Sequence, residues 1–116
     1  MIDFDGAIRA HTEWKIKLSV YLRNPDQSLD PSKVALDNQC PLGQWIHTEA
    51  TQYSGSADYQ NLRTEHAKFH RSAADVIRKA DAGENVTEDV ALGSHSEFGD
   101  ASTHVVQAIM KMKAAV

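Results

Sequence analysis

The chain has little cysteine, little proline and few aromatic residues. Its 116 residues include one cysteine and three prolines, and only 7% of them are aromatic. A single cysteine excludes an internal disulfide and leaves the thiol free for metal binding or redox chemistry in a reducing compartment. Few aromatic side chains predict a modest core, to which a bound metal would add stability.

Long apolar runs and an excess of basic charge are also missing. Twelve basic against sixteen acidic residues give a net charge of −4, which argues against a nucleic-acid partner or an anionic membrane surface. No run is long enough to cross a bilayer, and the acidic start of the chain does not have the pattern of a signal peptide. We therefore expect a cytoplasmic protein in which residues 1–116 form one domain.

Helical periodicity predicts an all-α fold. Long helices are expected over about residues 3–22, 57–82 and 88–113, the last of them capped by Thr87. A second helix is expected to begin at Cys40-Pro41, where the helix dipole would favour the thiolate, and residues 33–36 predict a short extra turn. The first helix must end before Asn24-Pro25, because a residue that precedes proline avoids the helical region.

One cysteine and three histidines are the candidate metal ligands. His66 and His70 are one helical turn apart, so both rings can reach one ion. His11 falls on the inward stripe of the first helix, between Ile8 and Leu18. With Cys40, three imidazoles and one thiolate would complete a tetrahedral zinc shell that leaves no open position.

Ordinary core packing is the alternative interpretation of these histidines. An isolated pair four residues apart is a short motif, and here it lacks the glutamate that follows the first histidine in zinc proteases. The soft sulfur ligand elsewhere in the chain favours the metal site. We expect the other histidines, His47, His95 and His104, to face solvent or a partner.

The chain resembles the bacterial chemoreceptor zinc-binding (CZB) domain family. Three features carry the resemblance: the first helix reads His11-Thr12-Glu13-Trp14-Lys15, a box reads Cys40-Pro41-Leu42-Gly43-Gln44-Trp45-Ile46, and His66 is followed by His70. The resemblance implies a cytoplasmic, usually dimeric, antiparallel four-helix bundle, here with a short extra helical segment. By position it implies that Zn²⁺ is held by His11, Cys40, His66 and His70. Many members carry an aspartate directly before the first histidine, whereas this chain has Ala10.

The expected function is that of a sensory domain and not of an enzyme. The domain would respond to zinc availability or to oxidation of the zinc-bound Cys40, for example by hypochlorous acid. It would transmit the change to a signalling partner or domain in chemotaxis or cyclic-di-GMP signalling. A homodimer is expected, with neither a nucleic acid nor a membrane as partner.

Three other classes compete with this interpretation. A purely structural, zinc-stabilised dimerisation module would have the same ligands. A zinc hydrolase would need an open coordination position and a general base, and Glu13 and Glu65 do not share a helical face with the ligands. A haemerythrin-like oxygen carrier would need bridging carboxylates and further inward-facing histidines.

Overall fold

The computed structural model describes residues 2–84, 87 and 91–116, and these residues contain no strand. The helices with described bounds are α1 (Phe4–Arg23), α2 (Pro31–Val34), α3 (Pro41–His47), α4 (Ala57–Asp81) and α5 (Glu97–Ala115), with a 3₁₀ helix (Glu49–Tyr53) after α3. The prediction of an all-α fold is confirmed.

Local sequence explains where α1 and α4 begin and end. The carboxylate of Asp3 caps α1 by accepting the Gly6 N–H at 3.0 Å, and the helix ends shortly before Pro25. The Ser56 side chain caps α4. Gly83, at φ 75°, follows the end of α4 in the left-handed conformation that glycine adopts without steric cost. The predicted bounds of these two helices therefore agree with the structure to within one residue.

The predicted start of the last helix is wrong. Residues 93–96 are not helical, and α5 begins at Glu97 with the Ser96 side chain accepting the Gly99 N–H at 2.9 Å. The Ser96 hydroxyl also donates to the Gly93 carbonyl at 2.6 Å, which closes a turn where a continuous helix was expected. The acidic first turn predicted at residues 88 and 89 lies outside the described residues.

The three long helices form the frame of the domain. Tyr21 on α1 contacts Asp81 on α4, and His11 contacts His66 lower on the same pair of helices, so α1 and α4 run in the same direction. Lys113 at the end of α5 pairs with Asp5 at the start of α1, at 2.9 Å, so α5 runs antiparallel to them.

The return from the end of α1 to the start of α4 does not use a long helix. Residues 24–56 cover this distance with α2, α3 and the 3₁₀ helix, of which the longest has seven residues. The structure therefore does not confirm a four-helix bundle. The predicted extra segment is present as α2.

The core lies between the long helices and is closed on one side by α3. The apolar residues Phe98, Val105, Ile109 and Met112 form a buried stripe on α5, and α4 supplies the largest group of fully buried side chains. The larger apolar side chains that are at most 1% exposed are Leu18, Leu42, Ile46, Leu62, Phe69, Ile77, Phe98, Val105, Ile109 and Met112. Phe69 and Phe98 join α4 to α5 with ring centroids 5.4 Å apart.

Candidate metal centre

Three histidines are buried where α1 and α4 meet. His11 is 2% exposed, His66 is fully buried and His70 is 4% exposed. The one-turn spacing of His66 and His70 on α4 directs both rings toward α1, where His11 meets them. Their Nε2 atoms come together: His66 Nε2 lies 3.1 Å from His11 Nε2 and 3.0 Å from His70 Nε2.

Backbone carbonyls hold two of these rings by their other nitrogen. His11 Nδ1 lies 2.7 Å from the Ala7 carbonyl, and His70 Nδ1 lies 2.9 Å from the Val34 carbonyl. Because a carbonyl only accepts, Nδ1 is the donor in each ring, and the lone pair is left on Nε2. A histidine that binds a metal through Nε2 usually has this arrangement. His66 Nδ1 has no hydrogen-bond partner among the described residues.

Cys40 brings a sulfur atom to the same point. It is the N-cap of α3, and its Sγ accepts the Gly43 N–H at 3.3 Å. Sγ lies 3.3 Å from His66 Nε2, 3.7 Å from His70 Nε2 and 4.0 Å from His11 Nε2. Cys40 is partly exposed, in contrast to the three histidines.

The separations of the four donor atoms suit a tetrahedral zinc ion. All four lie within 4.8 Å of one another. Ordinary Zn–N and Zn–S bond lengths place tetrahedral ligand atoms about 3.3 Å apart for two nitrogens and about 3.6 Å apart for nitrogen and sulfur. Borderline-soft zinc accepts imidazole together with thiolate, so the donor set fits the metal as well as the distances do. The cluster contains no carboxylate, which a haemerythrin-like di-iron site would need.

Burial sets the protonation of the ligand atoms. It lowers the pKa of His11 to about 4 and that of His66 to about 2, and the neighbouring imidazoles act in the same direction. The pKa of His70 is also lowered, again mainly by burial. The three rings are therefore neutral at pH 7, as metal binding requires.

Burial acts in the opposite direction on the cysteine. It raises the pKa of the Cys40 thiol, and the lowering by hydrogen bonds from Gly43 and Leu42 is smaller. The helix start favours the thiolate, as expected from sequence, but burial outweighs this effect on the pKa. A zinc ion would supply the missing stabilisation, because a coordinating thiol is deprotonated outright.

A short segment before Cys40 supports the cluster from outside. Its Val34 carbonyl holds His70, and its Asp37 lies against α3. A Cβ atom added to Gly43 would lie 1.8 Å from the Asp37 carbonyl oxygen, so only glycine permits this packing. Asp37 also pairs with His47 at 3.4 Å. Sequence reasoning did not find Val34, because any residue type supplies a carbonyl.

The remaining histidines lie outside the cluster. His47, His95 and His104 are exposed, as predicted. His104 lies 3.7 Å from Glu65, whose side chain is mostly buried between α4 and α5. All four predicted ligands thus lie together and the three excluded histidines lie apart from them.

Comparison with known families identifies the family to which the chain belongs. The family model of the chemoreceptor zinc-binding domain matches residues 11–77, more than half of the chain. The chain belongs to this family. The matched range includes every member of the His₃Cys cluster, so this chemoreceptor zinc-binding domain has a group of residues suited to zinc at the expected place. The family is a zinc-binding domain of chemoreceptors, which are sensory proteins.

Wider comparisons add nothing to this assignment. Neither the curated proteins nor the solved structures include a significant match to the chain. In the part of the chain that the structure describes, no helix is long and apolar enough to cross a membrane.

Proposed function

We propose that this protein is a sensory domain that binds one Zn²⁺ through His11, Cys40, His66 and His70. One observation carries the proposal: three Nε2 atoms and one Sγ atom converge, and two of the rings are oriented by backbone carbonyls through Nδ1. Four protein ligands would complete the coordination shell. A closed shell favours sensing or structure over hydrolysis, which needs an open position for water.

The chain's own residues prepare the site for the ion. His11 and His70, whose Nδ1 atoms donate to carbonyls, present lone pairs on Nε2, and the Gly43 N–H holds Sγ at the start of α3. When bound, zinc would stabilise the thiolate and join α1, α3 and α4 at one point. Structural zinc sites of this kind contribute roughly 10–16 kcal/mol of apparent binding energy in small peptides, which is enough to order a local segment.

Two inputs are proposed, zinc availability and oxidation of Cys40. With hypochlorous acid, the Cys40 sulfur attacks chlorine, an S–Cl bond forms and hydroxide leaves. Water then replaces chloride at sulfur, which gives the sulfenic acid, chloride and a proton. Sulfur loses two electrons and chlorine gains them. The sulfenic acid is a poorer metal ligand than the thiolate, so the Cys40 segment would be released.

The output is a movement of the segment between α1 and α3. Cys40 is the N-cap of α3, Nδ1 of His70 donates to the Val34 carbonyl, and Gly43 packs on Asp37. A shift of Cys40 would therefore also displace residues 31–39. This movement would regulate a chemotaxis signalling domain or a diguanylate cyclase in the cytoplasm.

We also propose that residues 1–116 form one domain and that the domain is a homodimer. Exposed Ile16 and Val20, one turn apart on α1, support an interface there.

The experiment that tests the sensory role is hydrogen exchange measured with and without one equivalent of hypochlorous acid. The proposal predicts zinc release, a sulfenic acid at Cys40, and faster exchange confined to residues 31–47 while α4 and α5 stay protected. Global loss of protection would instead identify a structural zinc module. Cys40→Ala is the control, because it removes the oxidised atom. A metal that survives this substitution, together with hydrolytic activity, would favour the hydrolase.

A further inference from the structure

A cavity of about 270 Å³ opens beside the proposed metal site. Its walls come from the start of α1, including Gly6, Ala7 and Ala10, and from the start of α3, including Cys40 and Leu42. His11 also borders it, whereas His66 and His70 do not. The cavity therefore meets the cluster on one side only, the side of Cys40 and His11.

Cys40 is the accessible member of the cluster on this side. The three histidines are buried, whereas Cys40 is partly exposed. His11 donates a hydrogen bond from Nδ1 to the Ala7 carbonyl and is almost completely buried. A molecule that enters the cavity therefore meets Cys40 as the reactive group.

The lining determines which molecules can enter. Most of the wall is aliphatic, and the described residues that line it include no lysine or arginine. Among these described residues Asp3 is the one acidic side chain, and its carboxylate already accepts the Gly6 N–H at 3.0 Å. An anion would lose hydration, meet no lysine or arginine among the described lining residues, and be repelled by Asp3, whose carboxylate already occupies the capping position at the start of α1. An uncharged molecule has no ionic hydration to lose and is not repelled by Asp3.

The volume restricts the size of the molecule. Sites for drug-sized ligands have roughly 300–1,000 Å³, so this cavity lies below that range. It is nevertheless much larger than the roughly 30 Å³ that one water molecule occupies in the liquid.

We propose that this cavity, called here the α1–α3 cavity, admits small uncharged reactants to Cys40 and holds back anionic ones. The α1–α3 cavity is formed by residues of the chain, so the proposed access route does not depend on a bound metal. Its consequence for signalling, that an oxidant reaches the sulfur ligand before the buried histidines, rests on the proposed zinc ligation.

Ala10 is the position at which the route can be narrowed. It lines the cavity yet is exposed, so it lies at the mouth. Side chains on a helix lean over the preceding turn, which here contains Gly6 and Ala7. Ala10→Leu would therefore cover part of the opening and leave the core unchanged. Ala114→Leu is the matched control, because Ala114 is an exposed helical alanine that lines none of the described cavities.

The test is the rate at which Cys40 reacts with two small methanethiosulfonates. One is the uncharged methyl reagent and the other is the anionic sulfonatoethyl reagent. In both, the Cys40 thiolate attacks the divalent sulfur that carries the methyl or sulfonatoethyl group, a new S–S bond forms, the S–SO₂ bond breaks and methanesulfinate leaves. Rates are measured on the full chain after zinc removal by a chelator, and each is divided by the rate for a free cysteine peptide.

In the wild type, the normalised rate for the uncharged reagent should exceed that for the anionic reagent by about tenfold or more. Ala10→Leu should slow the uncharged reagent several-fold, and Ala114→Leu should leave it unchanged. Equal rates for the two reagents, or an Ala10→Leu rate equal to that of the wild type, would overturn the proposal.

A second variant covers the case in which Ala10→Leu does not fold. Ala10→Asp adds a negative charge at the mouth with little bulk, and it should slow the anionic reagent while changing the uncharged one little. Equal slowing of both reagents would contradict the charge selection. Zinc content measured on the same proteins as purified separates this test from the proposed function. A protein without zinc would contradict the proposed sensory function but not the proposal for the α1–α3 cavity.

Discussion

At the scale of single residues, the position of Cys40 depends on a side chain that is missing three residues later. Gly43 lets the first turn of α3 rest on the backbone at Asp37, with no room for a Cβ atom. The same turn supplies the N–H that Sγ accepts. A glycine in this place of the Cys40-Pro41-Leu42-Gly43 sequence predicts a close approach of another backbone segment, and the structure identifies that segment as the one at Asp37.

Gly43→Ala should therefore weaken the domain. The added Cβ would overlap the Asp37 carbonyl, so α3 or the segment before it must shift, at a cost of about 1–3 kcal/mol. Zinc affinity should fall as well, because Cys40 moves with α3. Urea unfolding and zinc titration measure the two effects. Gly55→Ala is the control, since a Cβ there meets nothing within 4 Å, and equal stability of the two variants would refute the steric account.

Tyr21 and Asp81 form a second contact between single residues, away from the proposed metal site. The Tyr21 hydroxyl donates to the Asp81 carboxylate and so joins the end of α1 to the end of α4. Burial and this carboxylate raise the pKa of Tyr21 to about 12, from 10.0. The folded state therefore keeps the phenolic proton over a pH range in which the unfolded state loses it.

The sign of the resulting pH dependence follows from that difference. The contribution of Tyr21 is fully present below about pH 10, and it is lost as pH rises from 10 toward 12. Unfolding free energies measured by urea denaturation between pH 8 and 12 should fall more steeply for the wild type than for Tyr21→Phe. Parallel curves for the two proteins would show that the hydroxyl does not contribute in this way.

At the scale of elements, the sequence predicts the helices well where periodicity and breakers agree. Residues 4–23 and 57–81 repeat apolar residues at helical spacing, and Pro25 and Gly83 mark their ends. The predicted start of the last helix at residue 88 is wrong because periodicity does not reveal the turn at residues 93–96. Ser96, a residue type that commonly caps helices, is the local signal for the actual start of α5.

Gly99 shows why that region cannot be an ordinary helix interior. A Cβ atom at this position would lie 2.1 Å from the Gly93 carbonyl oxygen, because the turn closed by Ser96 passes directly over it. Helix propensity alone predicts that alanine here would stabilise the protein by about 1 kcal/mol. The structure predicts the opposite sign.

Gly99→Ala should lower the unfolding free energy by about 1–3 kcal/mol, since backbone atoms must move to remove the overlap. Urea denaturation followed by circular dichroism would measure the change. A stabilised variant would contradict the described turn before α5 and restore the continuous helix that periodicity predicts.

At the scale of the whole molecule, the cluster joins parts of the chain that are far apart in sequence. His11 comes from α1, Cys40 from the start of α3, and His66 and His70 from α4. The sequence could nominate these four residues from ligand chemistry and spacing. The sequence could not reveal the Val34 carbonyl behind His70 or the α1–α3 cavity. Both depend on the path that residues 24–56 take from the end of α1 to the start of α4.

Removal of zinc should lower the thermal stability of the whole domain. A ligand that binds only the folded state at 100 times its dissociation constant adds about 2.7 kcal/mol. For a domain of this size, that corresponds to a rise of about 10 °C in Tm. Calorimetry after chelation and after zinc is restored would measure the shift. An unchanged Tm would mean that zinc does not couple to folding.

The most direct test of the account is the zinc content of the purified protein after dialysis. Elemental analysis should find about one zinc per chain in the wild type and in His95→Ala, whose histidine is exposed and outside the cluster. Cys40→Ala should bind far less, because it loses the thiolate of the His₃Cys set. A wild type without zinc, or a Cys40→Ala variant that keeps a full equivalent, would contradict the proposed metal site.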